Sequence, residues 1–418
     1  MTLMTLLLTL APGLPLTLAL PSLRRSLPWP LLLALLPAAV LALVPTPAWV
    51  SLSWFKAGVA LSLDPTARWW LAMSVVAWAS AYLLLPATLR VYRGTWLLLA
   101  LSGQMGALLS TELMGFYAFS TLMSYAFIGL LLTDFDPANR RVGQLYLVPL
   151  IIADLLLFDA MLLATDAIGS LSFSHLAQTG SPGLYPVLVA LGYLLKMGLW
   201  PLLLWIPKGH RTPSPALSLL FWIGPVATSL LGLLRWLPLG ILDAPISGAL
   251  LLTTGAGVVV YTLWQGITER RRNKLSTLVV SLTAAGMTLV IGASLMQPTL
   301  WSEVESGLPL LAAVGTGALI LIGALNLGKE DAVSREESAM PVGHSVVYRR
   351  VRGATTLSLP RLRAAWLGYG RELWLRHRWP QRLEGGERYL RQWRLAITLL
   401  LLLAVIMVAL PVSAYSWI

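Results

Sequence analysis

The sequence predicts an all-α fold, a polytopic bundle of membrane-spanning helices with one discontinuous helix and a cytoplasmic amphipathic segment. The composition is 57% hydrophobic and 11% charged, with a mean hydropathy of +0.75, which is too apolar for a single core in water. Apolar stretches recur along the chain at close to the ~20 residues that cross a hydrocarbon core of about 30 Å. Basic residues are concentrated in alternate loops, as they are in membrane proteins with a fixed orientation.

About twelve stretches meet the length criterion for a span, some of them a little short or interrupted by Pro or Gly. The first stretch has no basic residue ahead of it and no small-residue cleavage site, so it is predicted to be a helix and not a signal peptide. In chain order the predicted spans are Leu3–Leu20, Pro28–Val44, Arg68–Leu85, Trp96–Leu109, Leu113–Leu132, Leu145–Ala164, Tyr185–Ile206, Ala216–Leu237, Gly248–Trp264, Leu275–Leu295, Leu308–Leu327 and Leu395–Val412.

The loops between these spans predict an orientation. One set carries most of the cations: Arg24 and Arg25, Arg90 and Arg93, Arg140 and Arg141, 208–211, 270–274, and the stretch after Leu327. The other set carries few: the loops around Lys56, Thr111, 166–183, Asp243 and 303–305. By the positive-inside rule the basic loops are cytoplasmic, which places both termini in the periplasm of a multi-pass inner-membrane protein. The same bias accounts for the net charge of +12 without nucleic acid.

The last third of the chain contains the least membrane-like stretch. We therefore predict three parts: a transmembrane domain over 1–327, an interfacial segment over 328–392 and a membrane anchor over 393–418. The middle part interleaves Trp and Leu with arginines, among them Arg371, Arg376 and Arg378. This pattern is typical of a helix lying on anionic lipid, and it also fits an acidic cytoplasmic partner. Both interpretations stay open.

Ionisable residues inside spans are the candidates for function, because a charge near the bilayer centre costs at least about 2.5 kcal/mol. Lys196 lies within the seventh predicted span, and Asp154 and Asp159 lie in the sixth. The two aspartates are five residues apart and point in different directions, so only one is expected to face Lys196. Lys196 is either a proton carrier or one half of a static ion pair. Pro201 favours the carrier, because a proline there breaks the helix as in transporter coupling sites.

The segment LGYLLKMGLWPLLLWIPKGHRTPSPALSLLFWIG resembles the signature of the antiporter-like subunits of proton-pumping NADH:quinone oxidoreductase, Mrp cation/proton antiporters and membrane-bound hydrogenases. Further fragments resemble the family's outer hairpin, its fifth span and its tenth span, so the resemblance covers roughly residues 45–300. It implies a helix break at Pro201 and Pro207 and proton transfer along buried Glu, Lys and His. The positions that match the motif are Lys196, Pro201, Trp205, Pro207, Pro213, Ser214 and Pro215.

Several positions depart from the family pattern. Ala118 or Thr121 stands where the family has the glutamate that pairs with the lysine, and Phe221 stands where it usually has histidine. The eleventh span lacks the family's His and Lys, and helices before the final anchor are missing. Asp154 matches a family aspartate in the sixth span. The resemblance thus implies a shortened, partly degenerate member with one half-channel.

We therefore expect a membrane-arm subunit that translocates or couples protons through Lys196, with Asp154 and Asp159 as further candidate proton-transfer residues. Its expected partners are other membrane subunits and a cytoplasmic catalytic subunit. Two alternatives stay open: a non-transporting scaffold for that subunit, and a proton-coupled inorganic carbon uptake subunit of the DAB type. No catalytic redox site is expected. The absence of cysteine and the scatter of four histidines argue against a metal site, and no cofactor is implied.

Overall fold

The computed structural model describes residues 3–25, 27, 29–44, 49–52, 59–85, 90, 93–132, 137–179, 183–198, 215–268 and 275–339. Nearly all of them belong to one compact unit, which comprises 1–54 and 58–328. The part of the predicted interfacial segment from residue 340 onward and the whole predicted anchor lie outside the described residues. The predicted division into three parts therefore stays a prediction. The described part is built almost entirely from apolar helices.

Among the described residues, the first half of this unit contains seven helices and a short β-hairpin. Pro12 and Pro15 lie inside α1, Pro37 inside α3 and Pro149 inside α7. Helix α1 packs between α3 and α5, and α6 packs between α5 and α7. The elements are α1 Leu3–Leu18, α2 Pro21–Arg25, α3 Pro30–Leu43, β1 Trp49–Leu52, β2 Val59–Ser62, α4 Pro65–Leu84, α5 Gly94–Leu109, α6 Leu113–Leu132 and α7 Pro137–Ile168.

The second half continues the bundle. Helix α9 packs against α7, and α12 packs against α13 along most of its length. The elements are α8 Phe173–Thr179, α9 Tyr185–Lys196, α10 Pro215–Phe221, a π-helical turn Trp222–Val226, α11 Ala227–Trp236, α12 Pro245–Thr268, α13 Leu275–Met296, a 3-10 turn Pro298–Leu300, α14 Trp301–Val304 and α15 Gly307–Ala339. Helix α15 runs past Leu327, the predicted end of the eleventh span.

This is a multi-pass membrane protein, and within the described ranges six helices are long and apolar enough to cross a bilayer. Four further apolar helices, α1, α3, α5 and α9, have only 10–17 residues. The predicted count of about twelve spans therefore stays a prediction. The six spans are Leu113–Leu132, Tyr146–Ile168, Pro215–Trp236, Pro245–Trp264, Leu275–Met296 and Gly307–Asn326.

The loops predicted to share the cation-poor side meet at one end of the bundle. Strands β1 and β2 pair antiparallel there, and Leu61 of β2 bridges to Ser110 after α5. Glu112 in turn bridges to Ser172 before α8. The hairpin is the one departure from an all-α fold among the described residues. The arrangement agrees with alternating loops, while the side of the membrane on which this end lies stays a prediction.

Arg235, near the end of α11, holds this region together. Its guanidinium donates to the carbonyl oxygen of Ser110 at 2.6 Å and pairs with Asp64 at 3.4 Å. It therefore supplies donors to carbonyls that the end of α5 leaves without helical partners. Only 10% of its side chain is exposed, so it is not the surface-reaching arginine that a position near a span end suggests.

A proline makes the eighth span irregular. Pro225 has no N–H to donate to the preceding turn, and the chain forms a π-helical turn over Trp222–Val226. The carbonyl oxygen of Ile223 in this turn accepts a hydrogen bond of 2.5 Å from the amide of Gln104 in α5. This turn was not predicted, although Gly224 and Pro225 inside an apolar run are a visible signal for an irregular helix.

Candidate functional site

Lys196 is the last residue of α9, so the helix ends at the candidate residue itself. Gly198 adopts a left-handed conformation with φ of 72°, and its N–H bonds to the carbonyl of Leu195 at 3.0 Å. This is a common way to end a helix. The carbonyl oxygen of Lys196 accepts a hydrogen bond from the hydroxyl of Tyr146 in α7. A cation at the end of a helix is also favoured by the helix dipole.

The ammonium group of Lys196 forms a buried ion pair with Asp154 of α7. Lys196 Nζ lies 2.8 Å from Asp154 Oδ1, and the two side chains are 1% and 9% exposed. Two buried charges are stable in an apolar interior only when they are paired and hydrogen-bonded. The sequence-based expectation that one of the two aspartates faces Lys196 is met by Asp154.

Helix α6 completes the surroundings of the ammonium with hydroxyls. Lys196 Nζ donates to Ser120 Oγ at 3.2 Å and to Thr121 Oγ1 at 3.4 Å. Thr121 also donates to Asp154 Oδ1 at 3.3 Å, so it bridges the two charges. The ring of Tyr117 lies 5.9 Å from Nζ, within the range of a cation–π contact. Thr121 is one of the two positions aligned with the family's glutamate, and here a hydroxyl takes the place of that carboxylate.

The second oxygen of Asp154 differs from the first. Asp154 Oδ2 is buried and has no donor in hydrogen-bond geometry among the described residues, whereas Oδ1 accepts two hydrogen bonds. The hydroxyl of Tyr125 also interacts with the Asp154 carboxylate. A buried carboxylate oxygen without a donor is costly, so Asp154 depends on the donors around Oδ1.

A glycine lets α9 approach α7 closely at this point. A Cβ atom on Gly192, one turn before Lys196, would lie 2.7 Å from Leu157 Cγ and 3.3 Å from the carbonyl oxygen of Ala153. No side chain fits there without displacing α7. The short distance between Lys196 and Asp154 thus depends on a residue that has no chemical role.

The other residues predicted for the site are not brought to it. Asp159 lies on a different face of α7 and is exposed. The helix-break prolines, Pro201 and Pro207, lie outside the described residues, as do the docking arginines Arg371, Arg376 and Arg378. Sequence reasoning missed Ser120, Tyr117 and Tyr146, because hydroxyl residues inside a span carry no distinctive spacing. Within the described part, no three His, Asp or Glu residues are grouped as metal ligands.

Residues 110–227 match the family described as NADH:quinone oxidoreductase/Mrp antiporter, transmembrane region. The match includes Lys196, Asp154 and all the side chains that contact them. Over these residues the chain has an antiporter-type membrane domain. This finding confirms the resemblance that the lysine motif predicts.

Similarity to individual proteins agrees with this domain. The chain is 30% identical over 133 residues to one subunit of a probable K⁺/H⁺ antiporter of Rhizobium meliloti (strain 1021), a match that covers 29% of this chain and 24% of that protein. The matching part thus spans about a quarter of that relative.

Solved structures share the fold of the antiporter-type domain at low identity. An Mrp complex from Dietzia sp. DQ12-45-1b matches with a TM-score of 0.62 and 18% identity, over 77% of this chain and 37% of that chain. Respiratory complex I from Thermus thermophilus matches with a TM-score of 0.58 and 17% identity, over 76% of this chain and 69% of that chain. An archaeal membrane-bound sulfane sulfur reductase matches with a TM-score of 0.54 and 20% identity, over 76% of this chain and 55% of that chain.

Proposed function

We propose that the chain is a membrane subunit of a multisubunit assembly of the Mrp or complex I type, and that it passes protons through Lys196 with Asp154 as modulating partner. The observation that carries this proposal is the buried ion pair of 2.8 Å between them. Ionisable residues inside a membrane are expensive, and they usually mark an ion or proton path. The antiporter-type domain around the pair supports the same function.

The pair can hold and release one proton. Burial penalises the ammonium form of Lys196, and the carboxylate of Asp154 compensates for this penalty only while it stays close. When Asp154 moves away, the ammonium loses its compensation and can pass its proton to the next acceptor along the path. A proton taken up by the amine when Asp154 returns restores the ion pair.

The remaining parts of the proposal rest on the relatives and on the sequence. The relatives are named as part of an antiporter, of an Mrp complex and of respiratory complex I, so we propose other membrane subunits as partners. A cytoplasmic catalytic subunit or anionic lipid would bind the segment that contains Arg371, Arg376 and Arg378. Any redox chemistry belongs to such a partner. We propose that the chain lies in the inner membrane of the cell and that both of its termini lie in the periplasm.

The test is proton flux into liposomes that contain the purified complex and a pH-sensitive dye. Lys196→Ala should abolish flux because it removes the carrier. Lys196→Arg should also abolish it, because a guanidinium keeps its proton throughout this pH range. Asp154→Asn should reduce flux less, because the carrier remains. Leu195→Ala is the matched control, since it truncates a neighbouring buried side chain without removing a titratable group.

A scaffold predicts a different order of effects. Lys196→Ala would then lower the stability of the complex, Lys196→Arg would be tolerated, and flux would depend on neither. Wild-type flux in a correctly assembled Lys196→Ala complex would refute the proton-carrier proposal. Flux lost in Leu195→Ala to the same extent as in Lys196→Ala would show that packing, and not the amine, is required.

A further inference from the structure

Helix α7 carries carboxylates on two different faces. Asp154 and Asp159 are five residues apart, which is about 140° around a helix. Asp154 faces the interior, whereas Asp159 is exposed and forms no ion pair or hydrogen bond with any described residue. The proton-transfer site uses Asp154 and leaves Asp159 without a role.

Asp159 lies in the middle of an exposed apolar stripe. Residues four before it, seven before it and three after it occupy the same face of the helix. These are Leu155, Ile152 and Leu162, which are 60%, 46% and 45% exposed. Asp159 lies about 14 Å from the end of the span at Ile168, at 1.5 Å per residue, which is close to the centre of a core about 30 Å thick. A carboxylate at that depth is costly against lipid.

We propose that this stripe is the contact surface for a membrane helix of another subunit, and that this helix presents a lysine or arginine to Asp159. A cation of opposite charge is what keeps a carboxylate ionised in an apolar environment. The stripe supplies the apolar contact around it, and relatives of this domain are found in multisubunit membrane complexes.

Two other occupants fit the observations less well. Two copies in the same membrane orientation are related by an axis along the membrane normal, so a dimer through α7 would place Asp159 against Asp159 at the same depth. Like charges in contact oppose that arrangement. The chain's own last predicted span, 395–412, contains no lysine, arginine or histidine, so it offers no counter-charge.

The first measurement is crosslinking in the assembled complex. The chain has no cysteine, so Leu155→Cys and Leu162→Cys place single reactive thiols on the stripe. Leu157→Cys, on the buried inner face of α7, is the control that should not react. The expected product is a crosslink from both stripe positions to a membrane helix of another subunit that contains a lysine or arginine. Crosslinks to a second copy, to a helix without a basic residue, or to no protein at all would overturn the proposal.

The second measurement is charge reversal. Asp159→Lys should lower the amount of the crosslinked subunit that co-purifies by at least about tenfold, and Asp159→Asn should lower it less. Reversal of the lysine or arginine in the crosslinked helix to aspartate should restore assembly of the Asp159→Lys variant, which shows that this variant folds. Full assembly of Asp159→Lys alone, or no rescue by the reversed partner, would overturn the proposal. Because assembly is measured and not flux, the outcome is separate from that of the proton-transfer proposal.

Discussion

The ion pair between Lys196 and Asp154 predicts a strong energetic coupling in the stability of the protein. Lys196→Met removes the cation and leaves Asp154 buried with hydroxyl groups, such as that of Thr121, as its partners. Loss of one member of a buried pair costs about 3–5 kcal/mol. Asp154→Asn leaves the ammonium with an amide and two hydroxyls, and we expect a cost of about 2 kcal/mol, the value of a hydrogen bond to a charged group.

The double variant should lose much less unfolding free energy than the two single variants lose together. With both charges removed, no uncompensated charge remains, and we expect a loss of about 1 kcal/mol and hence a coupling of at least about 4 kcal/mol. The measurement is equilibrium unfolding of the four proteins in detergent. As a control, Lys196→Met is combined with Gln104→Leu, a buried polar residue that does not contact the pair, and these costs should add within about 0.5 kcal/mol. A cost below about 1 kcal/mol for Lys196→Met alone would contradict the buried ion pair.

Three further predictions concern packing, orientation and docking. Gly192→Val should abolish flux and destabilise the protein by about 1–3 kcal/mol, because its side chain overlaps Leu157. Gly257→Val is the control and should be tolerated, because a Cβ atom at Gly257 meets nothing within 4 Å. Equal effects of Gly192→Val and Gly257→Val would contradict the role of Gly192 in the close approach of α9 to α7. A single cysteine at Ser172 should label from outside and one at Ser338 only after permeabilisation, and reversed labelling would refute the orientation. Replacement of three docking arginines by glutamate should weaken assembly with a cytoplasmic partner by about 1 kcal/mol per residue at low salt, and normal assembly at every ionic strength would exclude an electrostatic dock. These arginines are Arg371, Arg376 and Arg378.

The sequence correctly predicted a mostly helical membrane protein and singled out Lys196 within it, because both depend on strong local signals. Runs of apolar residues specify membrane helices, and a lysine inside such a run is rare enough to be singled out. Helix spacing alone did not separate Asp154 from Asp159, because the direction of a helix face depends on which neighbours pack against it; the resemblance to the family favoured Asp154. The structure resolved this choice by packing α9 on α7.

Other features were outside the reach of sequence reasoning. Ser120 and Thr121 acquire their role from the packing of α6 on α7, which no local pattern specifies. The end of α9 at Lys196 was also not expected, since the predicted span continued to Ile206 and the predicted break was at Pro201. Gly198, with its left-handed conformation, ends the helix earlier.

Tyr146 gives α7 a fixed point close to the ion pair. Its hydroxyl donates to the carbonyl of Lys196, while Pro149, three residues later, has no N–H to donate to the preceding turn of α7. Asp154 lies five residues beyond the proline, an arm of about 7.5 Å. A swing of about 15° at Pro149 would carry the carboxylate about 2 Å and extend the 2.8 Å contact beyond ion-pair range, while Lys196 keeps its place. A small bend of α7 at Pro149 would thus separate Asp154 from Lys196 while the hydrogen bond from Tyr146 keeps α7 and α9 in contact.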